Sequence, residues 1–212
     1  IADLVVVAYF FLLRVCEYTK GTRKTRTIPL RRSDIQLWRR NLLLQHTLSL
    51  DELLTADAVT INLENQKNGV KGAVVHHTTS GDSTCDPVRS MARLVWAIQT
   101  LPESTPIGTY SENGTTWKSI QSKDIIEALR HAAAADNLVA AGYELCRIGS
   151  HSLRSGGAVN LKLNGYDHDM IKKLGRWSSN TYLHYIQNSI AELTTGVAQS
   201  MASTLRFHRV GL

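Results

Sequence analysis

The segment from residue 150 to residue 187 contains the side chains best suited to chemistry. His151 stands three residues before Arg154, so on a helix both side chains project from one face toward the same small volume. A phosphodiester under attack gains negative charge on its non-bridging oxygens, and a planar guanidinium group can bind two of these oxygens at once. Arg154 and the upstream Arg14 are therefore candidates to bind a phosphate, and His151 could donate a hydrogen bond or assist proton transfer.

Two tyrosines are candidates for a nucleophile. Tyr182 and Tyr185 follow Trp177 by five and eight residues. A tyrosine hydroxyl has a pKa of about 10 and must lose its proton in order to attack. The phosphotyrosyl bond would preserve the energy of the broken link, so rejoining would need no ATP. The indole N–H of Trp177 can donate to a phosphate oxygen but cannot transfer a proton, which predicts a positioning role.

The order of these residues resembles the tyrosine recombinases and integrases. The segments HSLR (151–154), LGRW (174–177) and YLHYI (182–186) match an HxxR at the start of a helix, an LGxW or LGxH at the end of the next, and a later tyrosine. LLRVCE (12–17) is similar to the family's first arginine box, in which an acidic residue follows the arginine by three. QKNG, CDPV, GRW and YLHYI are most similar to crypton-like recombinases of eukaryotic mobile elements.

The resemblance implies catalytic roles for Arg14, Lys67, His151, Arg154, Trp177 and Tyr185. Tyr185 would be the nucleophile, because its spacing from Trp177 matches the family better than that of Tyr182, which would pack against the site or line it. The interval of eight residues is one shorter than in many bacterial members. Trp177 stands where some members have a second histidine.

The departing sugar oxygen is a poor leaving group and needs a general acid. The family gives this role to a lysine in the turn of a β-hairpin. Lys67 fits that turn best, and Lys71 at its other end is the alternative.

The implied activity is site-specific DNA recombination or transposition through a 3′-phosphotyrosyl intermediate, without a metal, a nucleotide cofactor or a small-molecule substrate. Family members act on double-stranded DNA as a homo-tetramer that joins two sites. An intracellular location is expected, and a nuclear one in a eukaryote. Two alternatives remain: a type IB topoisomerase, which uses the same chemistry as a monomer to relax DNA, and a domesticated DNA-binding module that does not cleave.

The chain has 212 residues, of which 43% are hydrophobic, and this is enough to bury the core of one domain. The resemblance implies that residues 1–212 form a catalytic domain with a mostly helical α+β fold and a small antiparallel β-sheet. The family's N-terminal core-binding domain is expected to be absent from this chain. The apolar run over residues 1–13 is shorter than the roughly 20 residues of a membrane-spanning helix, and it predicts a buried helix.

A β-hairpin is predicted in the first half of the chain. Residues 58–64 alternate between apolar and polar, as a half-buried strand does. Asn68-Gly69 is typical of a tight turn, and residues 73–78 would form the returning strand.

The remaining predicted elements are mostly helices. They cover residues 2–16, the segment after Pro87, residues 122–138 with Ser122 as cap, residues 151–163, the segment from the cap Asp167 to Leu174, the segment around Tyr185, and residues 191–200; residues 25–30 are predicted as an edge strand or turn. Asn164-Gly165 is a typical C-terminal signal. The last helix could pack on its own domain or dock on a neighbouring protomer.

The net charge of +6 and the pI near 9.3 are compatible with a polyanionic partner. Candidates for contacts with the DNA backbone are Arg23, Lys24, Arg26, Arg31, Arg32, Lys172, Lys173 and Arg176. Such contacts position a duplex without reading its sequence, and some of these side chains are expected to be solvated surface.

A metal site is not expected. Asp167 is placed to cap a helix, and the adjacent His76 and His77 would point to opposite faces of a strand and could not share an ion. The three cysteines lack a CxxC spacing. Glu17 is expected to support Arg14 or the interior of the domain rather than to act as a base.

Overall fold

The computed structural model describes residues 1–20, 27–64 and 72–187, together with positions 197 and 199. The helices are α1 (Ala2–Phe10), α2 (Val15–Tyr18), α3 (Leu50–Leu53), α4 (Pro87–Ala97), α5 (Ser122–Ala135), α6 (Ser150–Leu163), α7 (His168–Gly175) and α8 (Leu183–Gln187). The strands are β1 (Ile35–Arg39), β2 (Leu42–Leu44), β3 (Ala58–Leu63), β4 (Ala73–Thr78), β5 (Thr109–Ser111) and β6 (Trp117–Ser119). The predicted α+β fold, mostly helical with a small antiparallel sheet, is confirmed.

The N-terminal helix is buried as predicted, but it ends earlier than residue 16. Leu4, Val7 and Ala8 of α1 are fully buried. Leu12 then takes a left-handed backbone conformation with φ +48°, which an L-residue other than glycine seldom adopts. The predicted single helix is therefore wrong, since this turn separates α1 from the short helix α2.

Four strands form an antiparallel sheet in the order β2-β1-β3-β4. The predicted hairpin strands are confirmed, because β3 and β4 pair in register from Ala58 opposite Thr78 to Leu63 opposite Ala73. The predicted turn at Asn68-Gly69 lies outside the described residues.

The other hairpin of this sheet was not predicted. β1 and β2 are joined by Arg40 and Asn41, which have φ angles of +49° and +66°. Positive φ at both central residues is the requirement of a tight hairpin turn, for which Asn-Gly is the usual signal. β5 and β6 form a separate two-stranded sheet.

The helices of the second half follow the predicted pattern closely. α6 ends before Asn164-Gly165, and Asp167 caps α7 because its Oδ1 accepts from the Met170 backbone N–H at 2.7 Å. Two boundaries of α5 are wrong: Gln121, not Ser122, is its N-cap, and it ends at Ala135 rather than at residue 138. The backbone N–H of Gln121 donates to the Asp124 carboxylate at 2.8 Å, which fixes that start.

Residues 27–30 form no strand, and the first part of that predicted segment lies outside the described residues. Most of the predicted helix 191–200 also lies outside them. Within the described ranges, no helix is long and apolar enough to cross a membrane.

The large hydrophobic core joins α1, the four-stranded sheet and α4, and a smaller cluster joins α6, α7 and α8. Helix α6 lies tightly against the end of α1. A Cβ atom at Gly157 would stand 2.4 Å from Leu12 Cδ2 and 3.0 Å from the Tyr9 carbonyl oxygen. A larger residue at position 157 would push the Leu12 side chain aside and crowd the α1 backbone, so glycine favours the close packing of α6 against the turn between α1 and α2.

Candidate active site

A cavity of about 340 Å³ lies where the turn after α1, the start of α6, the end of α7 and helix α8 meet. Five of the six predicted catalytic residues line it, namely Arg14, His151, Arg154, Trp177 and Tyr185. The remaining wall is formed by Leu13, Val15, Cys16 and Ser150. The sixth predicted residue, Lys67, and its alternative Lys71 lie outside the described residues.

Arg14 is held by Glu17. The backbone N–H of Arg14 donates to Glu17 Oε2 at 2.8 Å, and its Nη1 donates to Oε1 at 3.0 Å. Glu17 is fully buried, whereas 20% of the Arg14 side chain is exposed. The spacing of three residues thus has a physical reason: the carboxylate at the third position of α2 reaches back to the capping residue. The predicted supporting role of Glu17 is confirmed.

Arg154 is the most deeply placed of the lining arginines, with 2% of its surface exposed. Nη1 donates to the Leu12 carbonyl and Nη2 to the Gly175 carbonyl, which leaves three of the five guanidinium N–H groups for another acceptor. Burial, together with the charges of Arg14 and Arg176, lowers the pKa of Arg154 to about 9. The group stays protonated at neutral pH, and a bound anion would stabilise its charged form.

His151 and Tyr185 form a hydrogen-bonded pair at the edge of the cavity. The distance from His151 Nε2 to the Tyr185 hydroxyl is 2.8 Å, and the two rings meet edge to face at 5.0 Å. Partial burial, followed by the positive charge of Arg154, lowers the pKa of His151. The imidazole is therefore neutral at neutral pH, and in the tautomer with Nδ1 protonated its Nε2 accepts from the phenol.

Trp177 covers Arg154, since the guanidinium carbon lies 4.2 Å from the centre of the indole ring. Such a contact contributes about 0.5 to 2 kcal/mol. The ring folds back on the end of α7, where a Cβ atom at Gly175 would stand 1.6 Å from Trp177 Cζ3. Gly175 is thus required by the position of the indole, and the next residue, Arg176, reverses the chain with φ +57°.

Tyr182 packs beside the site, as predicted for the competing tyrosine. Only 1% of its surface is exposed, and its hydroxyl is 2.5 Å from His168 Nδ1. Its ring lies 5.5 Å from that of Trp177. Tyr182 does not line the cavity that Tyr185 lines.

Two of the predicted DNA-contacting residues are buried. Arg32 and Arg176 are 7% and 8% exposed, so this prediction is wrong for both. The Arg32 Nη2 donates to the Leu101 carbonyl at 2.8 Å, whereas the contacts of Arg176 lie beside the cavity. Arg31 is paired with Asp34 at 3.1 Å and with Glu64.

The other predicted contacts differ in exposure. Lys173 is exposed and Lys172 is half-buried. Arg23, Lys24 and Arg26 lie outside the described residues.

Among the described residues, no three His, Cys, Asp or Glu side chains are grouped so that they could hold a metal ion. The strand geometry separates His76 from His77. His76 Nδ1 lies 2.9 Å from Thr60 Oγ1, and the His77 ring packs edge to face against Phe11 at 4.7 Å.

Sequence reasoning missed Gly175 and Arg176 as parts of the site. The LGRW segment was interpreted through its tryptophan alone. The sequence signal for Gly175 and Arg176 is their position at a helix end, where the indole of Trp177 must fold back. No protein-family model and no curated protein sequence matches this chain. The chemistry of the cavity is therefore the basis on which a function can be inferred.

Proposed function

We propose that this chain cuts and rejoins DNA through a covalent 3′-phosphotyrosyl bond to Tyr185, as a site-specific recombinase or transposase. One observation carries the proposal. A single cavity collects a phenol, an imidazole and two guanidinium groups from opposite ends of the chain, Arg14 on one side and His151, Arg154 and Tyr185 on the other.

The first step is attack by the Tyr185 oxygen on phosphorus. His151 Nε2, 2.8 Å from the hydroxyl, accepts the phenolic proton as the oxygen–phosphorus bond forms. The bond from phosphorus to the 5′ oxygen of the next nucleotide breaks, and that oxygen takes a proton to become a free hydroxyl. We propose Lys67 as the donor of this proton. Rejoining reverses each transfer, so the phosphodiester is restored without ATP.

The two guanidinium groups supply the positive charge that the transition state needs. Negative charge grows on the non-bridging oxygens during attack, and fixed donors in a partly buried site stabilise it strongly. The N–H groups of Arg154 that do not donate to the Leu12 and Gly175 carbonyls are suited to bind these oxygens. Trp177 lies over the guanidinium plane and restricts its position.

Double-stranded DNA is the proposed substrate. The net charge of +6 favours a polyanion over a small neutral ester. Exposed cations such as Lys173 are suited to contacts with phosphates on either side of the reacting one. A homo-tetramer that holds two DNA sites, and a nuclear location in a eukaryote, are part of the same proposal.

Covalent trapping tests the proposal without knowledge of the target sequence. The substrate is a pool of nicked duplexes randomised around the nick, so that attack releases a short fragment and rejoining is blocked. The wild-type protein is expected to form an adduct that survives denaturation, and Tyr185→Phe is expected to form none. Tyr182→Phe is the matched control and keeps the adduct, because Tyr182 does not line the cavity.

Three results would contradict the proposal. If wild-type protein binds the pool but never forms an adduct, a DNA-binding module that does not cleave is the better explanation. If the adduct requires Tyr182 instead of Tyr185, the nucleophile is wrong. If the protein rapidly relaxes supercoiled plasmid without selecting particular sequences, a topoisomerase of type IB is favoured.

A further inference from the structure

Arg176 is a buried cation placed directly beside the cavity without lining it. Only 4% of its side chain is exposed, and burial is the main cause that lowers the pKa of its guanidinium group. Its backbone has the left-handed conformation that favours glycine. Desolvation of a charge and a left-handed backbone both cost free energy, so the contacts of this side chain must offset two penalties.

One hydrogen bond of the Arg176 side chain goes to the Leu174 carbonyl. The others go to the segment that contains Arg14 and to the turn before it. Nη1 of Arg176 donates to the Phe11 carbonyl at 3.0 Å, and Nη2 donates to the Leu12 carbonyl at 3.3 Å. Nη2 also donates to Glu17 Oε2 at 2.8 Å. The guanidinium therefore joins the end of α7 to the turn between α1 and α2 and to the carboxylate that holds Arg14.

The Glu17 carboxylate is divided between two arginines. Oε2 accepts from the Arg14 backbone and from Arg176, while Oε1 accepts from Arg14 Nη1 at 3.0 Å. Arg176 thus occupies the oxygen that a second guanidinium nitrogen of Arg14 would need for a two-point pair. With Oε2 occupied, the guanidinium group of Arg14 meets the carboxylate through Nη1 alone, and Arg14 lines the cavity.

We propose that Arg176 is a positioning residue for the phosphate-binding arginine: it orients Glu17 and the Leu12 turn, and through them it sets the place of the Arg14 guanidinium. Removal of Arg176 would leave Oε2 to Arg14, which would turn toward a two-point pair with Glu17 and away from the cavity. The catalytic consequence rests on the proposed function, whereas the effect on anion binding does not.

The first test measures the rate of adduct formation on the nicked pool at saturating DNA. Arg176→Met is expected to lower this rate by about 100-fold, the loss expected from misplacement of a reacting group by about 1 Å. The DNA concentration that gives half the maximal rate should change by less than about twofold, because Arg176 is buried and external cations bind the duplex. Arg176→Lys keeps a cation near Glu17 and is expected to recover part of the rate.

Arg32→Met is the matched control. Arg32 is buried to the same degree, donates to a backbone carbonyl, and has an unpartnered buried Nε, as Arg176 has. It does not line the cavity, so its loss should destabilise the protein without lowering the rate. In addition, Arg14→Ala combined with Arg176→Met should be no slower than Arg14→Ala alone, since the second change acts only through Arg14.

The second test uses inorganic phosphate and needs no DNA. Phosphate that binds the cavity should raise the melting temperature of wild-type protein and of Arg32→Met, and Arg176→Met should lose this shift. If the wild type forms no adduct, the proposed function fails while the phosphate comparison still decides the role of Arg176. Should Arg176→Met not fold, the lysine variants at both positions replace it, and Arg176→Lys should show the smaller shift.

The inference is overturned if Arg176→Met and Arg32→Met show the same adduct rate and the same phosphate-induced shift in melting temperature. It is also overturned if Arg176→Met lowers the adduct rate of Arg14→Ala by the same factor as that of the wild type.

Discussion

Replacement of Gly175 by alanine perturbs the site by a single methyl group. The new Cβ atom would stand 1.6 Å from Trp177 Cζ3 and 2.0 Å from Cε3, and carbon atoms pack at about 3.5 to 4.0 Å. The indole must therefore retreat by roughly 2 Å from the end of α7. It then loses its contact with Arg154, whose guanidinium carbon is 4.2 Å from the ring centre.

Two effects of this substitution oppose each other. Alanine favours helix over glycine by up to about 1 kcal/mol, while the lost cation–π contact costs about 0.5 to 2 kcal/mol. The indole restricts the position of Arg154, so its displacement should lower the reaction rate more than the stability of the fold. An error of about 1 Å in the position of a reacting group lowers a rate by roughly 100-fold. We therefore expect a folded protein that is destabilised by no more than about 2 kcal/mol, with an adduct rate lower by about two orders of magnitude.

The assay is single-turnover adduct formation. Gly156→Ala is the matched control in α6, because a Cβ atom there would meet only Tyr9 Cε2, at 4.0 Å. It should keep the rate and gain slight stability. A wild-type rate in Gly175→Ala, or equal losses in both variants, would refute the role given to the indole.

Three further predictions concern the proton transfers and the packing of the site. A duplex with sulfur in place of the 5′ leaving oxygen should restore cleavage by Lys67→Ala, because a thiolate leaves without a general acid; rescue of Lys71→Ala alone would assign the role to Lys71. The rate of adduct formation should decrease toward acidic pH only below pH 6.5, because the pKa of His151 is lowered and His151 must be neutral to accept the proton. A decrease centred above pH 6.5 would contradict this role of His151. Tyr182→Phe should lower the free energy of unfolding by about 1 kcal/mol through loss of its hydrogen bond with His168, as measured by denaturant titration, and an unchanged value would show that this bond is not stabilising.

Local patterns in the sequence predict the second half of the fold well. The bounds of α6 and α7 depend on signals within a few residues, such as Asn164-Gly165 and the cap Asp167. The alternation of β3 likewise depends on neighbours along the chain. The spacing of His151 and Arg154 is of the same kind, since one helix face brings them together.

The features that sequence reasoning missed depend on distant contacts. The continuous apolar run hides the break at Leu12, where Arg154 and Arg176 donate to the carbonyl from far along the chain. The turn at Arg40 and Asn41 lacks the Asn-Gly signal although both residues have positive φ, and its distant contact is the Arg40 backbone N–H, which donates to Asp57 Oδ2 at 2.7 Å. Arg176 was expected at the DNA surface because a charge is usually solvated, but the buried Glu17 and the carbonyls of Phe11 and Leu12 hold it inside the protein.

The most direct test of the proposed function is to identify the residue that becomes joined to DNA. After the trapped adduct is digested with protease and nuclease, tandem mass spectrometry of the peptide should place a 3′-linked nucleotide on Tyr185. A nucleotide on Tyr182, on a serine or on a histidine, or adducts spread over several residues, would contradict the arrangement described for the cavity.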